Sequence, residues 1–127
     1  MYLIDTNIIL EILLDQNNAE KCSNFINSHL NQELYMTDFS YFSISLKLFN
    51  LKKFSVLEDL QEELINSRII TIIKLEVDDW KTIIQVSKKY NIDFDDSYQF
   101  VAASKFNFKL VSYDKDFDST SIKRTEP

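Results

Sequence analysis

Glycine is absent from the 127 residues, and Pro127 is the only proline. Turns must therefore be made by other residues. Asn, Asp and Ser are expected there, because they tolerate turn and left-handed geometry better than other non-glycine residues. The same absence excludes every phosphate-binding loop built on glycine, so neither a P-loop nor a GxGxxG dinucleotide fingerprint is possible. No internal repeat, low-complexity tract or linker interrupts the chain. Residues 1–127 read as a single domain, long enough to bury a core without staples.

Apolar spacing then gives the order of elements. Tyr2 to Ile4 reads as a short buried strand ending at Asp5, and Ile8, Ile9, Ile12 and Leu13 follow at helical spacing. A second helix is expected from about residue 18 to 30, with a strand at Leu34-Tyr35-Met36. Ser40 is a candidate cap for the next helix, which carries Ile44, Leu48 and Leu51. Another amphipathic helix is expected over 56–65. The β-branched run Ile69, Ile70, Ile72, Ile73 reads as a strand covered on both faces. Helices are expected over 77–90 and after Asp95-Asp96, and Phe108 to Tyr113 is the last clear strand, ending at Asp114. Ile122-Lys123-Arg124 reads as a short edge strand. Strands alternating with helix pairs define an α/β fold, a central parallel sheet of four to five strands covered by helices.

Charge narrows the function less than it first suggests. A net charge of −6 and a pI near 4.7 argue against a broad basic, sequence-reading DNA-binding face. They leave room for a nuclease, because bound divalent cations offset clustered carboxylates and attract phosphate. A lone cysteine, Cys22, cannot form an internal disulfide, which fits a reducing cytoplasm. Neither a signal peptide nor a membrane span is expected.

Three acids fall where α/β sheets place their chemistry, beyond the carboxyl ends of the strands. Asp5 ends the first strand, Asp114 ends the last clear one, and Asp96 stands at the start of the helix leading into it. Alone, each is an ordinary helix cap or turn residue. Together they lie on one expected edge, where carboxylates would repel and raise one another's pKa values. A divalent cation relieves such repulsion, and oxygen ligands suit Mg²⁺ or Mn²⁺. A shared metal site and three separate caps both fit the spacing. A His-rich zinc site does not, because His29 is the only histidine.

At these residues the chain resembles the PIN domain family, most closely its short VapC-type toxin branch. Leu3-Ile4-Asp5-Thr6-Asn7 is similar to the family's opening motif. Asp93-Phe94-Asp95-Asp96-Ser97 with Phe100-Val101-Ala102-Ala103 resembles its third acidic motif, and Leu110 to Phe117 its fourth. The resemblance implies a PIN-like three-layer sandwich, a Mg²⁺- or Mn²⁺-dependent site and hydrolysis of RNA phosphodiesters. Asp5, Asp96 and Asp114 would be ligands, and Thr6, Asn7 and Ser112 would orient them. Asp116 is a candidate further ligand. It also implies a homodimer, to which the abundance of Phe, Ile and Leu points as well, and an antitoxin protein as partner.

The family's second acid is missing from its usual slot, which falls at or near Ser43. Asp38 is the nearest carboxylate, either reaching the pocket or making an Asx turn. This departure supports an alternative: a PIN-like module that binds RNA or a partner protein with little or no cleavage. Two other acid-at-strand-end classes fit worse. A receiver domain needs an acidic pair after the first strand, and a haloacid-dehalogenase-type phosphatase needs Asp where Asn7 stands.

Overall fold

The first strand is short because an acid interrupts it. Tyr2–Ile4 (β1) extends with Leu3 and Ile4 fully buried, and Asp5 caps helix α1 (Thr6–Leu13) by accepting from Thr6 N. Helix α2 (Ala19–Ser28) leads to β2 (Leu34–Thr37), and α3 (Asp38–Asn50) follows without a loop. The cap of α3 is Thr37, not Ser40. Thr37 is still extended, at φ −76° and ψ 153°, and its Oγ1 accepts from the Ser40 backbone N–H at 3.0 Å. A hydroxyl at the last strand residue meets the free amides of the first turn, which a residue three places inside cannot do.

The computed structural model describes all of residues 1–127. Beyond α3 come α4 (Phe54–Asn66), β3 (Ile70–Ile73), a 3-10 turn at Val77–Asp79 and α5 (Trp80–Tyr90). Then follow α6 (Phe94–Phe106), β4 (Lys109–Val111), a second 3-10 turn at Lys115–Ser119 and β5 (Arg124–Thr125). All five strands are parallel, in the order β3-β2-β1-β4-β5. No helix is long and apolar enough to cross a membrane.

Side chains alternate between the two faces of the sheet, as the strand period requires. Ile4, Leu34, Met36 and Val111 pack with Ile8, Ile9, Ile44, Leu48 and Leu60 of α1, α3 and α4. Leu3 and Leu110 pack on the other face with Ile83 and Val86 of α5 and with the apolar residues of α6. Helix α6 is enclosed most completely, being buried at every position from Asp96 to Ala103. That is why Gln99, a polar residue inside this run, must find its partners within the protein.

Two expectations are corrected. β3 is an edge strand rather than one covered on both faces: Thr71 and Ile72 are exposed, and Ile70 and Ile73 only half-buried. Its β-branched run reflects strand propensity, which an edge satisfies as well as a centre does. The left-handed turns fall at Asp15, Lys52, Arg68, Asn91 and Asn107. Asn91 and Asn107 close α5 and α6 as expected. Lys52 and Arg68 lack the local hydrogen-bonding side chain that eases this geometry, and each carries a penalty of about 1–2 kcal/mol.

Candidate metal centre

Strand register brings three polar residues to one level. Leu3 pairs with Tyr35, which puts Asp5 level with Thr37 two residues on, and Ile4 pairs with Val111, which puts Asp5 level with Ser112 one residue on, so the three emerge side by side at the carboxyl ends of β1, β2 and β4. The chain leaves β1 toward β2 and leaves β4 toward β5, so the direction in which strands are added reverses between β1 and β4. Such a switch point opens a crevice above the strand ends.

Asp5 is the hub of this level. Its Oδ1 accepts from Thr6 N and Gln99 Nε2, both at 2.8 Å, and its Oδ2 accepts from Asn7 Nδ2 at 3.0 Å and Ser112 Oγ at 2.5 Å. A carboxylate has about four lone-pair positions, and here all are taken. Gln99 also donates to Ser40 Oγ at 2.7 Å and accepts from Thr37 Oγ1 at 3.0 Å, while Thr6 Oγ1 donates to Ser40 Oγ at 2.9 Å. Burial pushes the Asp5 carboxyl up from its ordinary range, the donors from Ser112, Gln99 and Thr6 pull it back, and the Asp114 charge adds to the rise.

A second group of acids stands beside the hub. Asp93 caps α6, accepting from Asp96 N at 2.9 Å, and this fixes Asp96 in the first turn. Asp114 N donates to Ser112 Oγ, and Asp114 Oδ1 accepts from Asp116 N, both at 2.9 Å. One carboxylate oxygen from each of Asp96, Asp114 and Asp116 lies within 4.8 Å of the other two. Asp96 is pushed up to about 8, first by burial, then by the charges of Asp114 and Asp93. None of these carboxylates is in an ion pair: the four ion pairs of the molecule join Lys74 to Glu76, Lys105 to Asp79, and Arg124 to Asp118 and Glu126. Hard oxygen donors, crowded and outside any ion pair, fit Mg²⁺ or Mn²⁺ and suit no soft metal.

Of the residues singled out in the sequence, Asp5, Thr6, Asn7, Ser43, Asp96 and Asp114 line one pocket of about 190 Å³. Ser112 stands behind it, holding Asp5, and exposed Asp116 completes the carboxylate trio. Asp38 does not reach this pocket. Its Oδ1 accepts from Phe39 N and from Tyr98 Oη, both at 2.7 Å, so it serves as a local turn and an anchor for Tyr98. Two unexpected polar residues, Asp95 and Gln99, also line the wall, with Leu10 and Phe39. Gln99 was legible in principle, since it lies three residues after Asp96 and so on the same helix face. A larger apolar cleft of about 390 Å³ lies between α1, α2 and α4 and contains none of these residues.

An α/β domain with an acidic pocket at its topological switch point is the class that this fold and site define. The family description "PIN domain" matches residues 2–123, and the chain belongs to the PIN domain family. No curated protein matches the sequence significantly. Solved structures share the fold at low identity. VapC20 of Mycobacterium tuberculosis, described as a sarcin–ricin loop cleaving toxin, is 10% identical with a TM-score of 0.83 over 100% of both chains. FitAcB from Neisseria gonorrhoeae is 21% identical with a TM-score of 0.75, over 98% of this chain and 96% of that one. A toxin–antitoxin complex from Klebsiella pneumoniae is 14% identical, also at 0.75, over 100% of both.

Proposed function

We propose that the protein is a metal-dependent endoribonuclease acting as the toxin of a toxin–antitoxin pair. The observation that carries this reading is the placement of Asp96, Asp114 and Asp116 within 4.8 Å of one another, outside any ion pair, beside Asp5. Its family and the toxins that share its fold support the same reading. Asp96, Asp114 and Asp116 would hold Mg²⁺ or Mn²⁺, and Asp5 could join by releasing one of its four donors. The bound ion supplies activation of water and stabilisation of charge developing on a phosphate. Thr6, Asn7, Gln99 and Ser112 fix the Asp5 carboxylate, which places its negative charge at the pocket wall. A homodimer, an antitoxin partner and a cytoplasmic location belong to the same proposal.

The test is cleavage of single-stranded RNA by purified protein with Mn²⁺ or Mg²⁺, in wild type and Asp96→Asn. Cleavage lost on EDTA treatment and in the variant supports the reading. Activity that survives both overturns it. Ser43 favours a second reading, because it lines the pocket where the family's second acid is usual. On that reading the domain binds RNA or a partner without cutting. Metal binding without cleavage in wild type, with cleavage appearing in Ser43→Glu, would decide for it.

A further inference from the structure

Beside the acidic pocket lies an aromatic cluster that neither the metal site nor the core requires to be exposed. Phe39 lines the pocket and meets the Phe94 ring edge-on at 5.6 Å between centroids. Phe94 in turn lies 6.1 Å from Trp80, and each stands 6.0 Å from Tyr98. Tyr98 is the fixed floor: it is 3% exposed, its Oη donates to Asp38 Oδ1, and it accepts from Leu75 N at 3.0 Å. Above this floor Phe94 and Trp80 keep 42% and 40% of their surface exposed. Phe94 immediately precedes Asp95 and Asp96 in the chain, and Phe39, which it meets, lines the carboxylate pocket.

Resting on the ribonuclease reading, we infer that Phe39, Phe94 and Trp80 form a stacking platform for an unpaired nucleobase of the RNA strand held at the pocket. Continuity with the pocket argues for this occupant: Phe39 lines the wall beside the carboxylates and packs against Phe94, so a strand held at the pocket meets the rings. The pocket wall carries four acids and no lysine or arginine, and the chain as a whole carries −6. Apart from the metal ion that the site would hold, the ordinary source of affinity, lysine and arginine on phosphates, is missing from the pocket wall. Base stacking is the remaining large contribution. It tolerates any sequence, because every base presents a π-face, and each stacked base strengthens binding roughly tenfold to a hundredfold. Bases inside a duplex already stack on one another and cannot use the platform, so the substrate is single-stranded at this position.

Trp80 is the only tryptophan, so its emission reports on the platform directly. The full chain, with Ca²⁺ replacing Mg²⁺, is titrated with a single-stranded adenosine decamer, an abasic chain of equal length, and a duplex of the same sequence. Saturable quenching is expected with the decamer alone. Phe94→Leu, which keeps apolar bulk but removes the ring, is expected to weaken decamer binding about tenfold or more while leaving Mn²⁺ affinity unchanged. Trp80→Leu, followed through labelled RNA, is expected to weaken it likewise. RNA that binds and is cleaved without quenching, or with wild-type affinity in both variants, overturns the platform and leaves the ribonuclease reading intact. A change in Trp80 emission with protein concentration alone, in the absence of RNA, shows a second copy covering the rings and overturns it too. Absence of both binding and cleavage for every RNA removes the ribonuclease reading and the platform together.

Discussion

Gln99 is tied to Asp5 across the carboxyl edge of the sheet: Gln99 Nε2 donates to Asp5 Oδ1 at 2.8 Å, from a side chain only 2% exposed. The same amide accepts from Thr37 and donates to Ser40, so one residue of α6 closes a network spanning β1, β2 and α3. Gln99→Leu keeps the volume and removes every partner. Leaving Asp5, Thr37 and Ser40 short of bonds in a buried setting is expected to cost about 1–3 kcal/mol of stability. Urea unfolding reads this loss, and a midpoint equal to wild type would refute the network's role.

Asp96 sets a pH dependence. In the metal-free protein its folded-state pKa lies near 8, above its ordinary carboxylate value, because of burial and the charges of Asp114 and Asp93. Between roughly pH 4 and 8 the folded state therefore holds a proton that the unfolded chain has released. The stability this group contributes is fully present below about pH 4 and is lost as pH rises toward 8. Thermal melts in EDTA are expected to show this fall relative to Asp96→Asn, which removes the titration. Mn²⁺ binding competes with the proton and is expected to strengthen over the same range.

Four carboxylates, Asp116, Asp114, Asp5 and Asp38, are expected to separate in metal titrations. Asp116→Asn and Asp114→Asn each remove one carboxylate oxygen and one negative charge from the trio. Each is expected to weaken Mn²⁺ binding by at least the roughly tenfold to hundredfold that loss of an outer-shell partner costs. Asp38→Asn is expected to leave Mn²⁺ affinity at the wild-type value, because Asp38 is engaged with Phe39 N and Tyr98. Asp5→Asn is expected to fall between them, since an amide can keep only some of the four bonds Asp5 accepts. Calorimetry ranks the four, and an Asp38 effect equal to that of Asp114 would contradict the geometry.

The exposed face of α3 predicts self-association. Phe42, Leu46 and Phe49 follow one another at i, i+4 and i+7 and are 65%, 65% and 57% exposed. An apolar stripe of this kind marks a contact surface. Light scattering at tens of micromolar is expected to give a dimer mass, reduced to the monomer by Leu46→Lys. A monomer mass for wild type would exclude this face.

Arg124 brackets the acidic turn. Its Nε and Nη2 donate to Asp118 at 2.8 and 3.1 Å, and its Nη1 donates to Ser112 O at 3.1 Å, on either side of Asp114 and Asp116. It lies one residue beyond the family match. Arg124→Lys keeps the charge but loses the paired geometry. It is expected to weaken Mn²⁺ binding, whereas a purely electrostatic role would leave the lysine variant at wild-type affinity.

Legibility in the sequence followed the range of the interaction. β1, β4 and the acids that end them were readable, because a buried strand stopped by Asp is a local pattern. So was the parallel α/β class, from the alternation of elements. The cap at Thr37 was displaced onto Ser40 because spacing alone does not say where the extended backbone ends. The edge position of β3 was unreadable, since β-branched residues suit edge and centre alike. Ser43, expected at the slot of the family's second acid, is among the residues lining the pocket. Asp38 was left between two roles until the position of Tyr98, sixty residues away, decided it. Gln99 was missed because its partners Asp5, Thr37 and Ser40 come together only after the sheet has formed.

The left-handed residues Lys52 and Arg68 stand on either side of α4, a helix with one buried residue, Leu60, and no side-chain hydrogen bond at its cap. Detaching α4 relieves strain at both ends and uncovers one buried residue with the half-buried Val56, Leu57 and Leu64, whereas detaching α6 would expose eight consecutive buried positions. Helix α4 is thus the segment expected to open while the rest holds. In amide exchange, residues 54–66 are expected to lose protection together and before 96–103. Because Leu60 and Leu64 form one wall of the apolar cleft, that opening would change the shape of the cleft and leave the carboxylate pocket, built on β1, β4 and α6, as it is.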